Sequence, residues 1–426
     1  MVSLVLLGGL FFLIFMNVPI GVAIGGASLG AILVGDSLST GYLIQSLVSG
    51  VDSFPIMAIP LFILAGELMG SGGISRRILD FCSVFFGRMW GGLAIVTVVV
   101  CMFFSAVCGS GPATVAAIGP MVIKPMVDRG YGKAFTLGLI ATGGCIGVIL
   151  PPSIPMIIYG VSTQNSISDM FLGGVIPGIL VGLLLITWSY FYCKKQGWKG
   201  DDTPFSWARA RRVTNEAKWA LINPIIILGG IYGGIFTPTE AAAVAVTYAV
   251  VCGIFIHKEL TFRTILTPIA NACSTTGTSM AILGCATAFT RILTVEQIPT
   301  MMTVFMLTLT ENRIVMLLLI NLLLLFVGLF MDTTPAMIVL SPILLPVAMS
   351  FGLHPIHFGL IMVVNLSIGF ITPPVGVCLF VASRVSDESL ELVTKGAMPF
   401  VMVMLFALML ITYIPELTMF LPNLLK

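Results

Sequence analysis

Continuous apolar runs recur along the whole chain and are separated by short polar stretches. Many of them reach about 20 residues, the length that a helix needs to cross roughly 30 Å of hydrocarbon. The runs do not alternate between apolar and polar residues, so they predict membrane helices rather than a membrane β-barrel. The first run lacks a basic segment before it and a clear cleavage site, which favours a membrane helix over a cleaved signal. We therefore expect an all-α polytopic membrane protein.

One long polar stretch, residues 193–218, interrupts these runs and divides the chain nearly in half. It contains Lys or Arg at positions 194, 195, 199, 209, 211, 212 and 218. We expect it to be a connector, part of which forms an amphipathic helix at the membrane interface. The predicted domains are accordingly a first membrane repeat at 1–192, this connector at 193–218, and a second membrane repeat at 219–426.

The two membrane halves resemble each other in three ordered stretches. These pair residues 151–152 with 373–374, 105–114 with 328–337, and 16–25 with 235–244, at spacings of 222, 223 and 219 positions. Ordered matches at nearly one spacing indicate an internal duplication. In a polytopic membrane protein, such a duplication is typical of secondary transporters.

Charge placement predicts that the second half is inverted relative to the first. The first half carries Lys124, Arg129 and Lys133 in a loop whose counterpart at 346–357 has no Lys or Arg. Lys and Arg concentrate in cytoplasmic loops. The first loop and the basic connector are therefore expected in the cytoplasm, the second loop outside, and both termini in the periplasm.

Composition narrows the possible functions. Hydrophobic residues make up 58% of the chain and charged residues 9%, against about 25% charged in soluble domains. The mean hydropathy is +1.10, which agrees with lipid as the solvent. A net charge of +2 gives no indication of a nucleic-acid partner. The sequence contains neither a HExxH zinc motif nor a phosphate-binding GxxxxGK[ST] loop. We therefore expect that the protein is not an enzyme and has no cofactor. Its energy source is then expected to be an ion gradient or a partner protein.

The paired prolines predict an interrupted helix in each half. Proline lacks an N–H and disfavours helical geometry in the residue before it, and Gly147 and Gly369 loosen the same turns. Carbonyls around 147–150 and 369–372, together with the Thr372 hydroxyl, would then be available to a small hard cation such as Na⁺. The alternative is a plain kink whose backbone is satisfied by neighbouring helices.

Two acidic residues allow both functional and structural interpretations. Asp332 lies within a long apolar region, where a carboxylate is a candidate functional group, but it also lies three residues before Pro335 and could cap a helix. Glu240 follows Thr237 and Pro238 in the pattern of a capping box, for which a structural role is expected. Re-entrant hairpins are expected at about 44–69 and 266–293, because both segments contain helix-breaking or hydroxyl residues.

Three motifs together resemble a known family: GIFTPTEAAAVA at 234–245, PPSIPMIIYG at 151–160 and GFITPPVG at 369–376. They are similar to those of the large membrane subunit of tripartite ATP-independent periplasmic (TRAP) transporters, over essentially the whole chain. The resemblance implies an elevator-type, Na⁺-coupled importer of carboxylates, such as sialic acid or C4-dicarboxylates, in the bacterial inner membrane. It also implies a periplasmic substrate-binding protein and a small four-helix membrane subunit, expected as a separate polypeptide because this chain shows no region fused for it.

The resemblance also implies positions for the ligands. The family's Na⁺ sites lie at the helix breaks, which match Ser105, Gly147, Leu150 and Pro152 in the first half and Gly328, Gly369, Thr372 and Val375 in the second. Leu150 stands where the second half has Thr372, so the first site would use carbonyls alone. Candidate substrate contacts are the hydroxyls of the expected hairpins and the intramembrane carboxylate, namely Ser49, Ser53, Thr276, Thr278 and Asp332.

Three other functions stay open at this level. A stand-alone Na⁺/dicarboxylate symporter would share the repeats and need no partners. A membrane-embedded enzyme is disfavoured because no catalytic motif is present, and a passive scaffold is disfavoured by the symmetric helix breaks. Dependence on partner proteins separates the stand-alone symporter from the TRAP subunit.

Overall fold

The computed structural model describes residues 1–16, 18–35, 39–200 and 206–425, and within these ranges the chain forms twenty α-helices and no strand. The first ten are α1 Val2–Phe15, α2 Ile20–Val34, α3 Thr40–Ser49, α4 Ala58–Ser71, α5 Ile74–Phe86, α6 Gly92–Cys108, α7 Gly111–Asp128, α8 Lys133–Ile149, α9 Ile154–Thr163 and α10 Ile167–Gln196. The second ten are α11 Trp207–Tyr232, α12 Pro238–Val251, α13 Leu266–Val295, α14 Ile298–Leu309, α15 Arg313–Gly328, α16 Thr333–Ser350, α17 Pro355–Gly369, α18 Val377–Ser386, α19 Leu390–Tyr413 and α20 Glu416–Leu424. The all-α fold is confirmed.

Seven helical segments of the described chain are long and apolar enough to cross a membrane. They are Phe54–Ser71, Lys133–Thr163, Ile167–Gln196, Pro238–Ile256, Leu266–Val295, Thr333–Ser350 and Leu390–Tyr413. Lys133–Thr163, which comprises α8 and α9, is the most enclosed of them, with 94% of its apolar window buried inside the protein. The chain is therefore a multi-pass membrane protein with an interrupted helix at its centre.

The second half repeats the helix order of the first. Helices α7–α10 begin at Gly111, Lys133, Ile154 and Ile167, and α16–α19 begin at Thr333, Pro355, Val377 and Leu390, which are 222 or 223 positions later. Helix α8 packs against α17 and, more extensively, against α19. The α8–α19 contact is so close that a Cβ on Gly138 would overlap the backbone of Gly396. Small residues permit this approach of two helices in a membrane.

The positions expected for the hairpins are wrong. Segment 266–293 belongs to the single 30-residue helix α13. The hydroxyls that suggested a break are satisfied within this helix, because Thr278 and Ser279 donate to the carbonyls of Ser274 and Thr275 one turn earlier.

Segment 44–69 is not a hairpin either. Helices α3 and α4 pack against α13 rather than against each other. Pro55 lies at the start of a short 3₁₀ turn, Phe54–Met57, and Pro60 lies in the first turn of α4. At these positions a helix needs no N–H donor, so the prolines are accommodated without a re-entrant turn. The helix pairs whose tips contact the proline breaks are instead α6–α7 and α15–α16.

Several basic segments gather at one end of the protein. The carbonyl of Trp198, in the connector, accepts a hydrogen bond from Gly91 N–H at 3.0 Å, and the Trp198 ring centroid lies 5.3 Å from that of Tyr131 in the α7–α8 loop. This end, which holds residues 87–91, 129–132, 193–200 and 206–218, is termed the basic side. Residues 201–205 of the predicted connector lie outside the described residues, and its remainder extends α10 and begins α11. The cytoplasmic location of the basic side stays a prediction.

The interpretation of Glu240 as a capping residue is confirmed. The Thr237 hydroxyl accepts a hydrogen bond from Glu240 N–H at 3.3 Å, and the Glu240 carboxylate accepts one from Thr237 N–H at 2.8 Å. These reciprocal bonds form a capping box at the N-terminus of α12.

Candidate functional site

Each half contains a helical hairpin with a short tip. Helices α6 and α7 are joined only by Gly109 and Ser110, and Gly109 has a positive φ of 64° that suits glycine. Helices α15 and α16 are joined through residues 329–332. Here Asp332 caps α16, and its Oδ1 accepts a hydrogen bond from Thr333 N–H at 2.7 Å. The capping role proposed for Asp332 is therefore present, and it does not exclude a second role for the other carboxylate oxygen.

Each half also contains the predicted helix break. The first separates α8 from α9 at residues 150–153, and the second separates α17 from α18 at residues 370–376. The paired prolines lie in these breaks, as the sequence predicts. Because Pro151 has no N–H, the helical donor to the Gly147 carbonyl is missing.

Several carbonyls that were expected to be free are in fact bonded. The Ser153 hydroxyl donates to the Val148 carbonyl, and Cys378 N–H donates to the Phe370 carbonyl at 3.0 Å. Thr372 N–H also contacts the Gly369 carbonyl at 3.3 Å. The expectation of two runs of free carbonyls is therefore wrong in part, because nearby side-chain and backbone donors close much of each break. A carbonyl oxygen has two lone pairs, so one such bond leaves capacity for a further ligand.

The hairpin tips touch the breaks in both halves. In the first, the Gly109 carbonyl accepts a hydrogen bond from Ile154 N–H at 3.3 Å. In the second, the Leu329 carbonyl accepts one from Val375 N–H at 3.2 Å. The same kind of bond thus joins tip to break twice, once in each half.

Glycines bring the same elements into backbone contact. A Cβ on Gly369, at the end of α17, would overlap the Gly328 carbonyl oxygen at the end of α15. A Cβ on Gly147 would lie 2.7 Å from Thr114 Oγ1 and 2.8 Å from the Ser110 carbonyl oxygen. Both glycines are therefore required by close packing between a hairpin and a break.

A cavity of about 340 Å³ lies between the two hairpin tips. Its lining includes the first residues of three helices: Gly111–Ala113 of α7, Ile154 and Pro155 of α9, and Thr333 and Thr334 of α16. N–H groups in the first turn of a helix have no acceptor within their own helix. The N–H groups of Gly111, Ala113 and Thr334 are of this kind. Helix N-termini favour negative charge, so this geometry suits an anion.

The remaining polar lining is acidic or hydroxylic. Glu67 of α4 and Asp332 are the carboxylates, and Ser110, Thr275 and Ser279 add hydroxyls. Among the described residues that line the cavity there is no Lys, Arg or His. Positive potential for an anion would therefore come from helix N-termini and from bound cations rather than from basic side chains.

The structure brings the predicted ion-site residues into two groups. Ser105, Gly147, Leu150 and Pro152 lie around the first tip and break, and Gly328, Gly369, Thr372 and Val375 lie around the second. The hydroxyls of Ser105 and Thr372 each donate to the carbonyl one turn earlier, on Cys101 and Ile368. Their oxygen lone pairs therefore remain available to a cation.

The predicted substrate contacts are mostly elsewhere. Of the five, Asp332 lines the cavity, whereas Ser49, Ser53, Thr276 and Thr278 are absent from the described lining. Ser49 ends α3, and Ser53 precedes the 3₁₀ turn before α4. On α13 the lining hydroxyls are Thr275 and Ser279, which are four residues apart and so share one helix face. Recognising α13 as one continuous helix would have placed these two hydroxyls on one face, but only the packing of α13 shows that this face meets the cavity.

Glu67 was assigned no role from the sequence, although it lies at the cavity. Asn271 Nδ2 of α13 approaches its carboxylate at 3.5 Å. Ser110 was also missed as a cavity residue, although it lies within the tip motif. An ionisable residue in an apolar helix is itself a signal of function, and this signal would have identified Glu67.

Paired hairpins and broken helices around a central polar cavity define a secondary-transporter type of membrane protein. A sequence profile described as "Tripartite ATP-independent periplasmic transporter, DctM component" matches residues 7–417. The chain belongs to this family of TRAP transporter large permeases.

Similar proteins support the assignment. The chain is 47% identical to the isethionate TRAP transporter permease protein DctMQ of Oleidesulfovibrio alaskensis, over 98% of this chain and 66% of that protein. It is 40% identical to the C4-dicarboxylate TRAP transporter large permease protein DctM of Vibrio cholerae, over 97% of this chain and 96% of that one. It is 38% identical, with the same coverage, to the sialic acid TRAP transporter large permease protein SiaM of Vibrio cholerae. The chain spans slightly less than two thirds of the first of these relatives.

One solved structure shows the same fold. The Alcanivorax borkumensis YdaH transporter aligns with a TM-score of 0.61, covering 88% of this chain and 89% of that chain, at 16% sequence identity. At this identity the likeness concerns the fold alone.

Proposed function

We propose that this chain is the translocating subunit of a Na⁺-coupled importer of small organic anions in the bacterial inner membrane. The observation that carries the proposal is the cavity between the two hairpin tips, with three helix N-termini in its lining. Carboxylates, such as C4-dicarboxylates or sialic acid, and sulfonates, such as isethionate, are the anions for which the three relatives are named.

Helix N-termini supply the anion selectivity in this proposal. Each contributes about 0.3–1 kcal/mol to a nearby negative charge, and up to about 2 kcal/mol when partly buried. The N–H groups of Gly111, Ala113 and Thr334 would bind the carboxylate or sulfonate oxygens. The hydroxyls of Thr275 and Ser279 on α13 would then contact the rest of the substrate.

Na⁺ would bind where the tips meet the breaks. Na⁺ is a hard cation that takes oxygen ligands, and the oxygens of Ser105 and Thr372 keep free lone pairs beside these junctions. The other proposed ligands are the carbonyls at Gly147, Leu150 and Pro152 and at Gly328, Gly369 and Val375. An occupied ion site would fix the tip against the break and so order the N-termini that bind the anion, which couples the two ligands by linkage.

Transport would follow an elevator mechanism, in which the hairpins and broken helices move together against the outer helices. The outer group is formed by α2, α4, α12 and α13, which pack on one another. A periplasmic binding protein would deliver the substrate, and a small four-helix membrane subunit would complete the membrane part. Membership of the large-permease family supports both partners.

The test is uptake into proteoliposomes with an inward Na⁺ gradient. The chain is reconstituted alone, with the small subunit, and with both the small subunit and the binding protein, and each preparation is supplied with radiolabelled isethionate, succinate or sialic acid. We expect uptake of one of these anions only in the complete system and only with Na⁺. Uptake by the chain alone would favour the stand-alone symporter, and uptake that is independent of Na⁺ would contradict the coupling.

A further inference from the structure

A second cavity lies away from the transport site, on the basic side. It is an open cleft of about 1020 Å³ between the end of α5 and the first three turns of α11. Phe85 and Trp207 form apolar walls, and Arg211, Arg212 and Lys218 supply cationic groups. The cleft is therefore amphipathic, with aromatic rings and basic side chains on the same surface.

The cleft lies at a boundary between polar and apolar sequence on α11. The first twelve residues of this helix contain its basic residues, and the helix becomes apolar after Trp219. The Lys218 ammonium lies 5.4 Å from the centroid of the Trp219 ring. Tryptophan and lysine in this arrangement are typical of the level of lipid headgroups.

The cationic groups of the cleft are only partly neutralised. Arg212 pairs with Glu216 at 3.0 Å, an exposed contact of the weak i,i+4 kind. Lys218 contacts the neutral Asn215 at 2.9 Å. Arg211 forms no ion pair with any described residue. Counted over the described residues, the cleft consequently keeps an excess of positive charge.

Asp80, the acidic residue of α5, also lies near α11. Burial and the nearby Glu216 raise the pKa of the Asp80 carboxyl on α5, and Arg76, Arg209 and Arg77 oppose that shift. Arg209 lies outside the cleft lining, whereas Arg211 and Arg212 are part of it. The charge of Asp80 is therefore balanced by other arginines than those of the cleft.

We propose that the cleft between α5 and α11 binds the headgroup of an anionic phospholipid from the leaflet on the basic side. Arg211, Arg212 and Lys218 contact the phosphate and the charged headgroup. Phe85 and Trp207, with exposed fractions of 44% and 80%, contact the glycerol and the upper acyl chains. The bound lipid anchors α11 at the membrane surface beside α5.

The proposal is tested by native mass spectrometry of the purified chain in detergent, titrated with phosphatidylglycerol or phosphatidylethanolamine. Wild-type protein should retain phosphatidylglycerol more strongly. The R211Q/R212Q variant should weaken that binding by about fivefold for each of the two charges removed. K218Q, which removes one charge, should weaken it by about fivefold. The matched control is K194Q/K195Q, which removes two exposed charges at the end of α10 outside the cleft and should bind as wild type does.

Three outcomes would overturn the proposal. Equal retention of the two lipids would show that the cleft has no preference for anionic headgroups. Equal losses in the cleft variant and the control would show a diffuse charge effect. Displacement of the lipid by millimolar inorganic phosphate would identify a free-phosphate site. Thermal unfolding of each variant checks that it is folded, and the exposure of Arg211 and Arg212 makes large destabilisation unexpected.

Discussion

Replacing Gly369 by alanine is the most direct test of the contact between hairpin and break. The added Cβ would overlap the Gly328 carbonyl oxygen and lie 2.7 Å from the Gly328 carbonyl carbon, where ordinary contacts begin at 3.4 Å. The backbones of α15 and α17 must therefore separate by at least about 0.7 Å. This displacement exceeds the roughly 0.5 Å within which a preorganised site must be held. Overpacking of this kind costs about 1–3 kcal/mol.

The expected result is an increase of about tenfold or more in the Na⁺ concentration that gives half-maximal uptake, since about 1.4 kcal/mol corresponds to a factor of 10. The measurement is a Na⁺ titration of uptake in the complete reconstituted system. Gly277→Ala is the matched control, because its Cβ would meet nothing within 4 Å and alanine favours helix. That variant should transport with the Na⁺ dependence of the wild type.

One outcome would exclude a role for the Gly328–Gly369 contact in Na⁺ binding. If Gly369→Ala is inserted and folded, as judged by its yield, gel-filtration profile and thermal unfolding, and still shows wild-type Na⁺ dependence, then the Gly328–Gly369 contact is not part of an ion site. The second helix break would in that case be only a kink.

Three further predictions concern the second break, the cavity and the topology. Thr372→Val removes a hydroxyl oxygen beside the second break, so we expect a several-fold increase in half-saturating Na⁺, whereas Thr372→Ser should keep the wild-type value; equal titrations of the two variants would contradict this role. Glu67→Gln removes a negative charge from the cavity and should strengthen binding of the anionic substrate roughly tenfold. This is the effect of one charge about 10 Å away at an effective dielectric constant of about 20. Unchanged or weaker binding in a substrate-competition assay would show that Glu67 does not repel the substrate. In a background with Cys273→Ser, Lys195→Cys should react with a membrane-impermeant maleimide only from the cytoplasm and Asn423→Cys only from the periplasm; the reverse pattern would invert the topology.

The central elements could be predicted from the sequence because proline has few acceptable positions in a helix. Pro151 and Pro373 interrupt helices at matching positions in the two halves, and the structure has breaks at both places. The repeat and the capping role of Glu240 were also accessible, since each depends on local residue chemistry. The stretches 105–114 and 328–337, which contain the hairpin tips, were recognised as matching parts of the two halves.

The positions of the hairpins were not accessible in the same way. Residues 274–279 comprise hydroxyl residues and a glycine. The sequence alone does not show that the Thr278 and Ser279 hydroxyls donate hydrogen bonds to carbonyls of their own helix. The role of α13 as a wall of the cavity arises from its packing against α4 and α16. Such contacts between distant segments decide which hydroxyls face the cavity, and local periodicity does not contain that information.

The absence of basic side chains from the described cavity lining has a consequence for selectivity. Attraction that comes from backbone N–H groups does not titrate, so it persists at every pH at which the helices are folded. It also survives most changes of side chain, because the N–H groups of Gly111, Ala113 and Thr334 belong to the main chain. Relatives named for a sulfonate, for C4-dicarboxylates and for a sialic acid could therefore keep one common means of attracting anions. Discrimination among those anions would then be left to the partner that captures the substrate first.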